Sequence, residues 1–232
     1  MSHNNTPAAV VLAIGIALAG YLIGNSLIES RTSERRVSVR GLAERELPAN
    51  LVLWPIVFSL TSNDLVDLQR QADAGVLKVR AFLDDAFPAE QISVSPPRVQ
   101  DREAQGMTGD SRRLDRYTAE VAVTVRTDRI DAARQAMQRS GELVKQGVAV
   151  IRSYEYNTQY LFTELEKIKP EMIAEATRDA RRAAEQFAED SGSKVGAIRT
   201  AHQGLFSIED RDQFSPELKK VRVVTTVDYY LE

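Results

Sequence analysis

The sequence predicts an α+β protein: an N-terminal transmembrane helix followed by two βαββ-like repeats, with mainly antiparallel sheets and helices packed on them. Three observations lead there. Ala8 to Ile28, AAVVLAIGIALAGYLIGNSLI, runs for 21 residues without a charge, which at helical rise is about 30 Å and enough to cross a hydrocarbon core. The order strand, helix, strand, strand is legible at about residues 50–127 and again at about 150–231. The composition, 43% hydrophobic and 27% charged over 232 residues, is that of a chain able to bury a core without staples.

The chain divides into an N-terminal segment 1–28, a charged linker 29–36 and an α+β domain 37–232. For the first segment two readings compete, an uncleaved anchor and a signal peptide cut after Ala17-Leu18-Ala19. The apolar run continues beyond that site and no Lys or Arg precedes it, which favours the anchor. Arg31, Arg35 and Arg36 follow the span, and taken alone they place the domain on the cytoplasmic side.

Val37 to Arg40 alternates apolar and polar and reads as a strand, with Gly41 as a bend or bulge. Leu51 to Thr61 carries Val52, Trp54, Ile56 and Phe58 on one side and reads as a buried central strand. Pro55 lacks an N–H and demands an edge or a broken ladder at the same place. Asn63-Asp64 starts a helix whose stripe is Leu65, Leu68, Ala72, Val76, Val79 and Leu83. Gln91 to Gln100 is a strand interrupted at Pro96-Pro97, and Asp101 to Arg113 is a polar hairpin connection. In Tyr117 to Thr127, Val121, Val123 and Val125 face inward. Asp128 caps a helix to about Val144, with Asp131 resembling a capping box, and this helix joins the two repeats. Val148 to Phe162 is strand-like with a bulge or bend over Arg152–Thr158. Pro170 and Glu171 start a long helix with Met172, Ile173, Ala176, Ala180, Ala183, Ala184 and Phe187 buried, small enough to lie close to a sheet, and Gly192 closes it. Lys194 to Phe206 pairs with Leu218 to Leu231, which alternates strictly from Val221 to Tyr230.

Charge is nearly balanced, at −3 overall, and nucleic acid is excluded as a partner because phosphate binding needs a concentrated basic excess. Cysteine is absent, which removes disulfides, thiolate zinc sites and a Cys nucleophile. His3 and His202 are too few and too far apart for a transition-metal site. The carboxylate pairs Asp84-Asp85, Glu44 with Glu46, and Glu189-Asp190 read as solvated element ends. Arg112-Arg113-Arg116 and Arg178-Arg181-Arg182 have acidic neighbours and read as solvated faces. Tyr154, Tyr156 and Tyr160, and Tyr229-Tyr230, read first as sheet packing and second as oligomer contacts. No catalytic residue, cofactor site or metal site is assigned.

Val37-Ser38-Val39-Arg40-Gly41-Leu42-Ala43-Glu44 is similar to the opening V-x-V-x-G-x-A/G-E strand of the SIMPL domain family, a family of unknown function also called DUF541, and the element order from about Arg36 to Glu232 follows that family. The resemblance implies a bacterial cell-envelope protein held in the inner membrane or exported by its N-terminus. It implies a domain on the periplasmic side and ring-like or cage-like homo-oligomers, and no catalytic residues. The expectation is therefore a self-associating scaffold or interaction module, bound to the bilayer through residues 8–28. The other expectation is an enzyme or small-ligand binder with a cleft between the repeats.

Overall fold

The structure, a computed structural model, describes residues 14–22, 35–106 and 115–232. Residues 14–22 form a helix, α1, exposed along its length. The rest of the expected span 8–28 lies outside the described residues, and among the described residues no helix is long and apolar enough to cross a membrane. The fold is mixed α+β with antiparallel pairing throughout the registers below. The chain forms two compact units: a terminal unit of Met1–Arg45, Glu166–Ser207 and Val221–Glu232, and an inserted unit of Glu46–Leu165 and Ile208–Lys220.

The inserted unit is built on a six-stranded sheet of order β3-β5-β2-β6, with β4 beside β5 and β7 beside β2. These strands are β2 (Leu51–Ser62), β3 (Ile92–Val94), β4 (Arg98–Asp101), β5 (Tyr117–Thr127), β6 (Val150–Ile151) and β7 (Gln159–Leu161). β2 and β5 pair antiparallel without a slip from Val52↔Thr127 to Ser62↔Tyr117. Both demands made on Pro55 are met. It faces Thr124 on β5, while on the other side β7 pairs Leu51–Leu53 and β6 pairs Val57 and Phe58. The missing N–H falls where β2 has no paired residue between those two short strands, a place in a sheet that tolerates proline. The strand expected over Val148–Phe162 is thus two short ones flanking the polar loop 152–158. Both belong to the sheet of β2 and do not begin a second repeat.

Helix α2 (Leu65–Asp84) covers this sheet with Leu68, Ala72, Gly75, Val79, Phe82 and Leu83, and Leu65 at its head is exposed. Gly75 is required by contact: a Cβ there would stand 2.5 Å from the Phe58 ring. The cap is Asp64, whose carboxylate accepts from the Asp67 N–H at 2.8 Å. Pro96-Pro97 separates β3 from β4, as their missing N–H groups require. The helix expected from Asp128 to Val144 is two, α3 (Ile130–Arg139) and α4 (Gly141–Lys145). The break falls at Ser140, whose N–H and hydroxyl both donate to the Met137 carbonyl. Arg129, and not Asp128, holds the cap position of α3, without a side-chain cap bond.

The sheet of the terminal unit has the order β1-β10-β8, and β9, which but for Ser207 belongs to the inserted unit, also pairs with β10; these are β1 (Arg36–Pro48), β8 (Val195–Gln203), β9 (Ser207–Asp210) and β10 (Leu218–Leu231). β9 was not legible in the sequence. Helix α5 (Leu165–Asp190) lies on one face and carries Pro170 inside it; a proline so near the N-terminus forfeits only one intrahelical bond. Its buried residues are Met172, Ala176, Ala180, Ala184 and Ala188, one every fourth position. Ala183 is exposed and Phe187 is 60% exposed, because a straight stripe of step four leaves them to one side. Gly192 ends the helix at φ +67, with Ser193 donating to Ala188 and Gly192 to Glu189, a Schellman closure.

Gly41 does not bend β1, which runs on to Pro48. A Cβ at Gly41 would lie 1.8 Å from the Ala176 carbonyl oxygen and 2.3 Å from the Ala180 nitrogen, so strand and helix backbones touch. The βαββ plan is thus realised in the terminal unit by β1, α5, β8 and β10, with the inserted unit between β1 and α5.

Two stability tests follow. Gly41→Ala forces backbone apart from backbone and is expected to cost about 3 kcal/mol or more, whereas Gly141→Ala, with nothing within 4 Å of its added Cβ, is expected to be neutral or stabilising; urea unfolding of the two variants checks the contrast. Asp67 accepts from Arg70 first, then from Gln71 and Ser62, and its folded pKa is lowered from 3.8 to about 2. A depressed carboxylate stabilises above its unfolded value and loses that contribution as pH falls from about 4 towards 2. Asp67→Asn should flatten the fall of Tm over that window, and a parallel fall in both proteins would refute the assignment.

Candidate functional site

One concavity belongs to the inserted unit and is assembled from three distant stretches. Pro48-Ala49 turns from β1 into β2, Asp128-Arg129 leads from β5 into α3, and Glu217-Leu218 opens β10; together they border an open cleft of about 630 Å³. The local folding is specific. The Ala49 N–H donates to the Glu217 carbonyl at 2.7 Å. Asn50 grips Thr163 twice, giving from Nδ2 to the hydroxyl at 2.9 Å and accepting the Thr163 N–H at 2.8 Å. Thr127, buried at the end of β5, accepts the Arg129 N–H at 3.1 Å. Arg129 reaches back to the Ala86 carbonyl at 2.8 Å, which fixes the mouth of the cleft against the end of α2.

Charge in the cleft is mixed. Asp128, Arg129, Asp131 and Arg134 lie on or just before the first turns of α3, and Glu217 stands across from Arg134 at 3.9 Å. Tyr160 lies beside this pair, its hydroxyl donating to the Met137 sulfur at 3.8 Å. Burial raises its pKa, Glu217 adds to the rise and Arg134 opposes it. Such an arrangement can hold a small polar molecule carrying both signs of charge. Asp128 and Asp131 are open to water and Glu217 is half-buried; ion pairs reached by solvent are screened and individually weak.

A second concavity, of about 400 Å³, lies between α2 and the β3–β5 side of the sheet. Ala72, Val76, Leu77, Val94, Pro97 and Val121 make it mainly apolar.

The candidate residues of the sequence do not meet in either cleft. His202 is exposed on β8, and His3 lies outside the described residues. Asp84-Asp85 ends α2 and Glu189-Asp190 ends α5, while Glu46 on β1 stands 3.9 Å from Arg211. Arg112 and Arg113 lie outside the described residues. Arg116 pairs with Asp101 and Glu103 and lies over the Tyr117 ring. Arg181 pairs with Glu185 and Arg182 with Asp179. Tyr154, Tyr156 and Tyr160 do not share a strand: Tyr154 is fully exposed in loop 152–158 and Tyr160 is half-buried on β7, while Tyr229 and Tyr230 stand near the end of β10, with Tyr229 buried under α5. Among the described residues no three His, Asp or Glu side chains gather to hold a metal ion. Sequence reasoning missed the cleft because its walls are far apart along the chain. The one local signal was the crowding of Asp128, Arg129, Asp131 and Arg134 around a helix start.

No curated protein matches the chain. A solved structure titled as a hydrolase from Listeria innocua aligns over 82% of this chain and 91% of its own at 13% identity, with a TM-score of 0.23. The SIMPL model, described as a protein of unknown function (DUF541), matches residues 37–229, and the chain accordingly belongs to the SIMPL family.

Proposed function

We propose that this SIMPL protein is a membrane-anchored cell-envelope protein whose domain self-associates and works as a scaffold or interaction module, without an enzymatic activity of its own. The charge-free run Ala8–Ile28 supports the anchor, and the helical, exposed stretch 14–22 within it is compatible with a segment whose apolar side chains meet lipid. The family resemblance favours the periplasmic side of the inner membrane, against the pull of Arg31, Arg35 and Arg36.

The observation that carries self-association is β8. It is an edge of its sheet, and from Ala197 to Gln203 every residue is exposed. It contains neither Pro nor Lys, the residues that usually guard an edge. A second copy pairing there would satisfy its open backbone groups.

A second reading, binding of a small charged molecule, is favoured by the cleft of Arg134 and Glu217. It differs from the expectation of a cleft between repeats, since all its walls belong to the inserted unit.

Purified full-length protein in detergent is expected to run as a multimer at micromolar concentration in size-exclusion chromatography with light scattering, and a strict monomer would sink the scaffold reading. Ala201→Lys places a charge on the β8 edge. At about 1 kcal/mol for a like charge facing a neighbour, it should weaken assembly roughly fivefold per contact while leaving the Tm within a few degrees.

A further inference from the structure

The face of the β1-β10-β8 sheet that α5 leaves bare has a charge opposite to that of the whole protein. α5 covers the side of Val37, Gly41, Ala43, Val223, Val227 and Tyr229. The other side presents Arg36, Ser38, Arg40, Leu42 and Glu44 from β1, every one exposed, and Arg222 and Asp228 from the alternate positions of β10. β8 adds Thr200 and His202, opposite Asp228 and Thr226. The register slips between Thr200 and Ile198, which leaves Arg199 as an extra residue close to Asp228.

Asp228 is the hub of this face. It accepts from Ser38 and, at 2.6 Å, from the Thr200 hydroxyl, so that one carboxylate ties all three strands together. Ser38 first, then Thr200, hold its pKa below the ordinary value, and Arg36 and Arg199 add to the lowering. Five basic residues, Arg36, Arg40, Arg199, Arg222 and Lys220, stand against three carboxylates, Glu44, Glu46 and Asp228, on a chain whose net charge is −3. Leu42, 40% exposed, and the half-buried Tyr230 put apolar surface among them.

The place of this face along the chain says what it meets. Arg36 is both a member of the face and the first residue of β1, and the charge-free run ends at Ile28. The intervening residues 29–35 can reach at most about 25 Å when fully extended, so the edge of the face cannot leave the neighbourhood of the bilayer.

We propose that this bare face docks on an anionic bilayer surface, with Arg36, Arg40, Arg199 and Arg222 meeting lipid phosphates. The inference rests on the reading of residues 8–28 as a membrane anchor. Guanidinium groups bind phosphate through two parallel hydrogen bonds, and each basic residue near an anionic surface contributes appreciably within a Debye length. Asp228, Glu44 and Glu46 keep the excess small, so docking is reversible: the anchor holds the chain at the membrane and the face sets how the domain lies on it.

The chain contains no cysteine, so single labels can be placed on His202→Cys, on the bare face, and on Arg178→Cys, on the exposed outer side of α5. Full-length protein is reconstituted in vesicles of phosphatidylcholine, with or without phosphatidylglycerol, that carry a headgroup quencher. The label at 202 is expected to be quenched more in anionic than in neutral vesicles, and the label at 178 to be indifferent to lipid charge. The ratio of docked to undocked protein should fall about fivefold for each arginine replaced by Gln at 36, 40 or 199, and Asp228→Asn should raise it by a similar factor. Equal quenching at 202 and 178, or charge variants that leave the ratio unchanged in protein that floats with the vesicles, overturns the proposal and leaves the anchor standing. Failure to float with pure phosphatidylcholine overturns the anchor instead, and the 202 signal in anionic vesicles then decides the face independently.

Discussion

Contact between the backbones of β1 and α5 is the constraint on which the terminal unit depends. Most helix-on-sheet layers are held apart by side chains, and here the spacer has been removed from both surfaces: Gly41 on the strand, and Ala176 and Ala180 on the helix. Two consequences follow from so short a distance. The Asp179 carboxylate can reach past the strand to accept the Leu42 N–H at 2.9 Å, and Arg45 can fork between Glu171 and Glu175 at 2.8 and 3.2 Å. Both bonds lie along β1, the opposite edge of the sheet from β8. The same contact that packs the core therefore closes one edge with side chains, and among the described residues no helix carboxylate accepts a backbone N–H of β8. A wider separation would cost dispersion contacts and would also reopen the β1 edge to pairing.

The elements that could be read from the sequence are those whose causes are local. The apolar alternation of β5 and β10 and the cap of α2 at Asp64 depend on residues within a turn or two of one another, and the structure keeps them. Pro55 was also readable as a conflict, and the gap between β7 and β6 resolves it. What could not be read depends on pairings across long stretches of chain. β1 finds β10 about 190 residues later, although Val37–Arg40 alone cannot say which strand it joins. Gly41 stood out as a member of a family motif, but its reason is a helix more than 130 residues away, and a local reading could only supply a bend. Local signals misled where a weaker pattern imitated a stronger one. Asp128 and Asp131 have the spacing of a cap pair, yet the chain turns one residue later. Phe187 is apolar at helical spacing, yet the stripe of step four has rotated past it. The cleft at Arg134 and Glu217 was illegible for the same reason as β1, since its three walls come together only in the folded inserted unit.

The two concavities and the bare sheet face differ in kind. A catalytic carboxylate requires an environment that changes its proton affinity, through burial, a charged neighbour or both. In the cleft, Asp128 and Asp131 are exposed, and Glu217 has its cation 3.9 Å away. Near the cleft, burial raises the pKa of the Tyr160 phenol, and its bond to the Met137 sulfur ties it to the packing of α3. This geometry suits reversible binding better than proton transfer.

β1 joins these arguments in one segment. Its first residue adjoins the linker to the apolar run, its alternate residues supply one side of the bare basic face, and its glycine sets the distance to α5. If residues 8–28 are the anchor proposed above, a change in the direction from which β1 is held would move the sheet as a body, because the backbone contact at Gly41 allows no independent sliding of strand against helix. The free edge at β8 belongs to the same sheet, so its direction is fixed by how β1 is held. On this reading the membrane does more than retain the protein. By orienting one strand, it orients the edge at which the next copy would pair, and copies tethered in the same plane would meet with their β8 strands already aligned.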